Sequence, residues 1–318
     1  MPFTVLVTPR SLRKGLSRYS HLLDEYGLVA RLPQAEGRLT EDDMAELIVG
    51  ADAIVVGLEP VSRKVLEKAD RLRVISKFGV GVDNIDLDAA RERGITVTNT
   101  PSANCNAVAE LAVGMMFALA RRIAQQAWQV SQGNPAKISG VELAGRTLGL
   151  VGLGSIGTLV ATKASKLGMT VLAYDPYVSP EKAASLNVTL TGLDELLSRA
   201  DFVSLHCPLT PSTRGILGRR QLESMKSGSY LINTARGGLV DEDALAELLL
   251  RGHLAGAAVD DVTTEPITES PLLKLKNVIV TPHVGASTQE AIDAMSTEAL
   301  KNAADVLRGI RPAHVVVG

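Results

Sequence analysis

The sequence predicts an α/β fold with parallel sheets, on three observations. Short apolar runs alternate with amphipathic ones along most of the chain. Aromatic residues make up only 3% of a composition that is 46% hydrophobic. A glycine-rich turn sits in the middle of the chain, directly behind an apolar run. A core so poor in aromatics has to be built from Leu, Val, Ile and Ala, which suits helices stacked on strands that are buried on both faces. At 318 residues the chain is longer than one core usually serves, so two domains are expected.

In chain order, the runs at 4–7, 53–56, 74–76 and 95–98 read as strands, and the segments 16–26, 65–69 and 86–93 as amphipathic helices. Thr100-Pro101 then punctuates the pattern before a long helix over 104–122, which places a domain boundary near residue 99. A strand over 147–151 leads into Gly152-Leu153-Gly154-Ser155-Ile156-Gly157. Behind it Ile156, Leu159, Val160, Ala164 and Leu167 recur at helical spacing, and a second strand over 169–174 ends on Asp175. Strands at 202–205, 230–232, 255–259 and 278–280 follow, and a last helix spans 287–308.

The glycine run in this setting is a dinucleotide fingerprint, because each part has a physical reason. Gly152 permits the tight turn, Gly154 lets a pyrophosphate approach the backbone, and Gly157 lets the helix pack closely. The first helical amides, Ser155 and Ile156 among them, face the phosphate charge, and Asp175 binds a ribose diol. Pro176 and Tyr177 follow Asp175 where an arginine could hold a 2′-phosphate, so NAD is the expected cofactor. The fingerprint comes after another α/β unit, and the tail behind residue 286 is too short for a domain of its own. The expected architecture is two Rossmann-like lobes with parallel sheets: a nucleotide-binding domain (99–286) inserted into a flavodoxin-like substrate domain (1–98 plus 287–318). The active site is expected in the cleft at the carboxyl ends of the strands.

Composition excludes several other classes. Lys and Arg number 33 against 35 Asp and Glu, with no basic stripe, which argues against nucleic acid. The two cysteines, Cys105 and Cys207, lack a CxxC partner, so neither a disulfide framework nor a metal site is expected, and a cytoplasmic location fits. The start of the chain has no secretory signal pattern. The longest apolar run, 111–120, stops at Arg121-Arg122 and is too short to span a bilayer.

Three residues that follow strands can carry chemistry: Arg236, Glu265 and His283. Oxidising a hydroxy acid with NAD calls for a cation to hold the carboxylate, a base for the hydroxyl proton, and a group that tunes the base. Arginine offers a planar two-donor fork, histidine titrates near neutrality, and a carboxylate on its second ring nitrogen fixes the tautomer. Each residue also has an ordinary alternative: Arg236 before Gly237-Gly238 as a turn cap, Glu265-Pro266 as a solvated turn, His283 as a histidine bonded to backbone. His206 reads as structural or as packing on the cofactor, and His21, His253 and His314 as surface or satisfied residues.

These motifs together resemble the D-isomer-specific 2-hydroxyacid dehydrogenases, nearest to the D-3-phosphoglycerate dehydrogenases and the hydroxypyruvate or glyoxylate reductases. The resemblance runs through Gly79-Val80-Gly81-Val82-Asp83-Asn84-Ile85-Asp86, Asn99-Thr100-Pro101, Val108-Ala109-Glu110, the glycine run, Asn233-Thr234-Ala235-Arg236-Gly237-Gly238 and Pro282-His283-Val284-Gly285-Ala286-Ser287-Thr288. It implies that Arg236 binds substrate, that His283 is the acid/base, and that Glu265 is its partner. It further implies that amides around Gly79, Val80 and Gly81 hold the substrate carboxylate. Asp260 would face the nicotinamide amide, and Cys207, Pro208, Thr213, Thr234, Ala235, His283 and Gly285 would line the cofactor pocket. A homodimer through the nucleotide domains is also implied, with the apolar stretch 111–120 at the interface.

Substrate identity is less sharply marked. Phosphoglycerate enzymes place arginines on the substrate lobe; here Lys77 takes one such place, while Val56-Gly57-Leu58-Glu59-Pro60 lacks another, and Glu59 would repel an anion. The stretch 132–140 is short and lacks a tryptophan common in the family, and no serine-binding regulatory domain follows. D-3-Phosphoglycerate and hydroxypyruvate or glyoxylate are therefore alternatives. Formate is disfavoured, since formate-oxidising relatives carry glutamine in place of Glu265. A non-enzymatic alternative is an NADH-sensing interaction protein like the C-terminal-binding-protein corepressors, although those carry polar tails.

Overall fold

The computed structural model describes residues 2–35, 37–135, 137–263 and 267–318. They form two compact units, Met1–Asn104 with Ser287–Gly318, and Cys105–Ala286. The strands in chain order are β1 (Phe3–Val7), β2 (Leu28–Arg31), β3 (Ala53–Val56), β4 (Val74–Lys77), β5 (Thr96–Thr98), β6 (Thr147–Val151), β7 (Thr170–Tyr174), β8 (Val188–Leu190), β9 (Phe202–Leu205), β10 (Tyr230–Asn233), β11 (Gly256–Val259), β12 (Val278–Val280) and β13 (Val315–Val317).

In the first unit the sheet order is β13-β5-β4-β3-β1-β2. Alternate residues of its strands serve opposite faces, as a period of two requires. Leu6, Ile54, Val56 and Ile75 pack with Met44, Ile48, Val65 and Leu66 on one side. Val5, Val7, Val55 and Val74 pack with Ala299, Leu300, Ala303 and Leu307 on the other. The last four lie on the helix Gln289–Leu307, so the C-terminal tail covers this first sheet. It is tied there by the buried Ser76 hydroxyl donating to Ala299 O (2.8 Å) and by Asn302 Nδ2 donating to Asn99 O (3.2 Å). The segment after β5 stays with this unit because Thr100 N donates to Gly79 O (3.0 Å) while Gly79 N donates to Thr100 Oγ1 (2.9 Å).

The sheet of the second unit is parallel throughout, in the order β12-β11-β10-β9-β6-β7-β8. The chain starts at the middle with β6, winds outward to β8, and returns to the other side of β6 with β9. That reversal opens a crevice beyond the carboxyl ends of β6 and β9, where such sheets bind ligands. The helix Cys105–Ala120 buries Ala109, Ala112, Met115, Met116 and Leu119 against Leu148, Leu150, Val160 and Ala164 on one face. Leu196, Leu197, Leu245 and Leu248 cover Val151, Val203, Leu205 and Leu231 on the other.

Several elements differ from the sequence reading. The helix begun near residue 104 ends at Ala120, and Arg122, in the left-handed region at φ 52°, starts a second helix, Ile123–Ser131. Strands β2, β8 and β13 are additions, and β13 runs antiparallel to β5, an exception to the otherwise parallel first sheet. No helix of the described residues is long and apolar enough to cross a membrane.

Candidate active site

The glycine turn leaves β6 at Val151. Gly152 takes φ 99°, and a Cβ there would lie 2.7 Å from Cys207 N, so the turn is pressed against the chain leaving β9. A Cβ on Gly157 would overlap Gly152 O, which explains how the helix Ser155–Lys166 can start so close to the turn. Gly154 differs from both. Its φ of −74° is open to any residue, and nothing stands within 4 Å of where its Cβ would be. Free space outside Gly154 and a helix start with no side-chain cap leave backbone amides available to a phosphate.

Asp175, at the end of β7, completes the turn. Its carboxylate accepts from Leu153 N (2.8 Å) and Tyr177 N (2.9 Å), which sets the acid beside the glycine loop. On the β9 side, His206 N donates to Val151 O (2.8 Å), and Ser204 Oγ lies 2.9 Å from the ring Nε2. Burial drives the His206 imidazole down to about 4 and the Cys207 thiol up to about 11. Both are therefore neutral at pH 7, and Cys207 is a lining group with no nucleophilic character. Thr213 Oγ1 donates to Pro208 O (2.6 Å) and accepts from Thr210 N (2.8 Å), which closes this loop upon itself.

At the end of β10, Asn233 shapes the turn that carries Arg236. Its Oδ1 accepts from Ala235 N (3.0 Å) and its Nδ2 donates to Arg236 O (2.8 Å). The buried Thr234 hydroxyl has no partner among the described residues. An orphaned hydroxyl here and the open cradle at Gly154 are what a bound dinucleotide would satisfy.

His283 follows β12 with φ 55°, unusual for a residue with a side chain. The buried Asp260 carboxylate holds it there. Asp260 accepts from Thr281 Oγ1 (2.5 Å), Val284 N (2.8 Å) and Gly285 N (2.7 Å), and its own carbonyl accepts from His283 N (2.8 Å). Gly285 packs so closely that a Cβ would lie 3.0 Å from Asp260 Oδ2. The next residue, Asp261, places Oδ1 3.7 Å from His283 Nδ1 and takes Gly237 N–H on Oδ2 at 3.2 Å. Burial works against the charge on Asp261, but His283, the Gly237 amide and Arg236 outweigh it, and its carboxyl lies below the ordinary range. Sequence reasoning missed Asp261; the doublet of carboxylates after β11 was the available signal. Glu265 lies outside the described residues.

The first unit places its predicted residues at the carboxyl ends of β3 and β4. Gly79 has φ 125°, and its amide is already donated to Thr100 Oγ1. The amides of Val80 and Gly81 carry no hydrogen bond among the described residues. Lys77 is buried, with Nζ donating to Gly57 O and to Asn84 Oδ1 (2.7 Å). Glu59 Oε2 accepts from Gly57 N and from Thr8 Oγ1, both at 2.8 Å. One residue, Gly57, thus binds an ammonium through its carbonyl and a carboxylate through its amide.

Residues 113–285 match the family model described as D-isomer specific 2-hydroxyacid dehydrogenase, NAD binding domain. The chain is 46% identical over 299 residues to D-3-phosphoglycerate dehydrogenase of Methanocaldococcus jannaschii, covering 93% of this chain and 56% of that one. It is 44% identical over 271 residues to the enzyme of the same name from Mycobacterium bovis, covering 84% of this chain and 51% of that one. The chain therefore spans about half the length of the curated relatives it matches. Among solved structures it is similar to D-lactate dehydrogenase from Aquifex aeolicus complexed with NAD and lactic acid. There the TM-score is 0.86 at 30% identity, over 99% of both chains. A parallel sheet carrying this glycine turn, and a model match across more than half of the chain, lead to one assignment. The chain belongs to the D-isomer specific 2-hydroxyacid dehydrogenase family, and residues 113–285 are its NAD binding domain.

Proposed function

We propose that the chain is an NAD-dependent dehydrogenase of D-2-hydroxy acids. In this reading the unit Cys105–Ala286 binds the cofactor, and the other unit supplies substrate-binding groups. One observation carries it: the glycine turn after β6, Arg236 after β10 and His283 after β12 all leave the carboxyl edge of a single parallel sheet. NAD, when bound, supplies the hydride acceptor of the oxidation and, when reduced, the donor of the reverse reaction. Backbone amides from Gly154 to Gly157 hold its phosphates, Asp175 takes the ribose hydroxyls, and Thr234 gains a partner for its hydroxyl.

On the substrate, Arg236 offers its fork to a carboxylate and carbonyl oxygen. His283 gives a proton to the oxygen that becomes the hydroxyl, and in oxidation the neutral ring takes that proton back. Glu265 is proposed as a carboxylate partner of the ring. The names of the curated relatives favour D-3-phosphoglycerate as substrate. The Glu59 carboxylate, joined through Gly57 to Lys77, favours a second reading in which an unphosphorylated 2-oxo acid such as hydroxypyruvate or glyoxylate is taken. Cys105 and Cys207, far apart in sequence and without a CxxC pattern, support a cytoplasmic enzyme. The exposed Phe117, Ile123, Trp128 and Val130 support a homodimer through the NAD-binding unit.

The test is a spectrophotometric screen of 2-oxo acids with NADH, repeated with His283→Ala. We expect turnover of at least one of these acids and a loss of about 10² to 10⁴ in kcat in the variant with its fold intact. Near-normal turnover by His283→Ala would refute the acid/base assignment. Tight NADH binding with no turnover of any acid would instead indicate a sensor.

A further inference from the structure

The carboxylate of Asp261 stands between two parts of the proposed catalytic site. One oxygen is anchored on Gly237 N–H at 3.2 Å, in the turn that carries Arg236. The other faces His283 Nδ1 at 3.7 Å. The anchor is rigid: a Cβ on Gly237 would lie 2.5 Å from Thr263 N, so the Arg236 turn and the backbone just after Asp261 are in close contact. The histidine side is equally constrained, since the Asp260 carboxylate holds the 281–285 turn by three donors. At 3.7 Å the contact is longer than a hydrogen bond and becomes an ion pair when the ring is protonated; catalytic contacts of this kind often tighten when substrate binds.

We infer that Asp261 is a positioning residue for His283, holding the imidazole by Nδ1 so that Nε2 carries the proton exchanged with substrate. The inference rests on His283 being the acid/base. During oxidation Nε2 takes the hydroxyl proton and the ring becomes an imidazolium, whose charge Asp261 faces. During reduction that same proton leaves Nε2 for the substrate oxygen, and the neutral ring keeps its Nδ1 proton towards Asp261. Because Gly237 N–H is the second ligand of the carboxylate, the turn that carries Arg236 and the group that orients the base are fixed to one another.

The charged groups around His283 in this unit are Asp261 on the Nδ1 side, Asp260 under its backbone, and Arg236, whose charge acts on Asp261; Glu265 lies outside the described residues. Asp261 carries its charge at neutral pH, its carboxyl lying below the usual range although burial opposes this.

The experiment compares Asp261→Asn, Asp261→Glu and His283→Ala with the parent protein. It reads the NMR titration of the His283 ring in the cofactor-free protein and the pH profile of kcat/KM. Asparagine keeps an acceptor for Gly237 N–H, loses the charge, and turns an NH₂ instead of an acceptor towards His283 Nδ1. Removing a unit charge 3.7 Å from the ring moves both midpoints towards acid by about one pH unit, and above the parent's midpoint kcat/KM for reduction falls about tenfold. Glutamate restores most of the shift, and NADH affinity stays within about twofold. Unmoved midpoints in Asp261→Asn, with His283→Ala inactive, would overturn the role of Asp261 and leave the acid/base reading standing. A fully active His283→Ala would overturn both.

Discussion

Replacing Gly154 by alanine separates what the fold needs from what the cofactor needs. The residue sits at φ −74° and ψ −156°, a region alanine adopts without strain, and no atom lies within 4 Å of the added methyl. The cofactor-free protein should therefore unfold within about 1 kcal/mol of the parent, the less flexible unfolded chain offsetting the poorer N-cap that alanine makes. A bound pyrophosphate meets that methyl at the mouth of the turn. Displacing it far enough to lose one charge-assisted amide bond costs about 1.5–3 kcal/mol, or roughly ten- to a hundredfold in Kd. The neighbouring glycines give the contrast, since a Cβ on Gly152 lies 2.7 Å from Cys207 N and one on Gly157 overlaps Gly152 O, so alanine there disturbs the fold itself. NADH titration by fluorescence, paired with urea unfolding without cofactor, reads both quantities. An NADH affinity within twofold of the parent would show that Gly154 is not where phosphate approaches. A stability loss above about 1 kcal/mol would show that the free space is illusory.

The remaining predictions concern the two sides of the same sheet edge. The His206 ring is held neutral by burial, at about 4 against 6.5 for a free histidine, so on acidification the unfolded chain takes up its proton first. Stability is complete above pH 6.5 and drains as the pH falls towards 4, by up to about 2.5 kcal/mol at pH 4.5. That is an upper bound, because part of the residue remains reachable by solvent. The stability gap between the parent and His206→Gln should narrow by most of that amount between pH 7.5 and pH 4.5 in urea melts; a gap equal at both would contradict the burial argument. Asp260→Asn puts an NH₂ where one carboxylate oxygen accepts from Thr281 and Val284, or where the other accepts from Gly285. A buried donor is then left facing a donor, at a cost of about 1–3 kcal/mol, and calorimetry showing no change in Tm would refute the clamp.

The legible parts of this molecule are those where burial and backbone geometry demand particular residues. β3, β6 and β9 span the runs read from the sequence, because a parallel strand covered on both faces has to be apolar over most of its length. The edge strands β2, β8 and β13 escaped, and each buries only one of its residues fully. β2 ends on Arg31 and β8 is broken by Thr189, while the three valines of β13 are too short a run to stand out. The break after Ala120 was hidden for a different reason: Arg122 takes a left-handed conformation that sequences usually mark with glycine or asparagine. Lys77 shows the limit for single charges. Its type suggested an anion site, whereas its bonds to Gly57 O and Asn84 Oδ1 are partners that no spacing rule supplies.

The Asp260-Asp261 doublet shows why chemistry is harder to read than fold. The two acids leave β11 in a bend, where neighbouring side chains meet different environments. Here Asp260 is buried under the 281–285 turn and satisfies backbone amides, while Asp261 faces the imidazole. Nothing in the two letters says which does which. The register of β11 against β12 decides it, by setting Val259 opposite Val280 and so bringing the residues after each strand side by side. The left-handed backbone at His283 follows from the first carboxylate and its contact at Nδ1 from the second. Structure thereby divides two chemically identical side chains into a clamp and a charge.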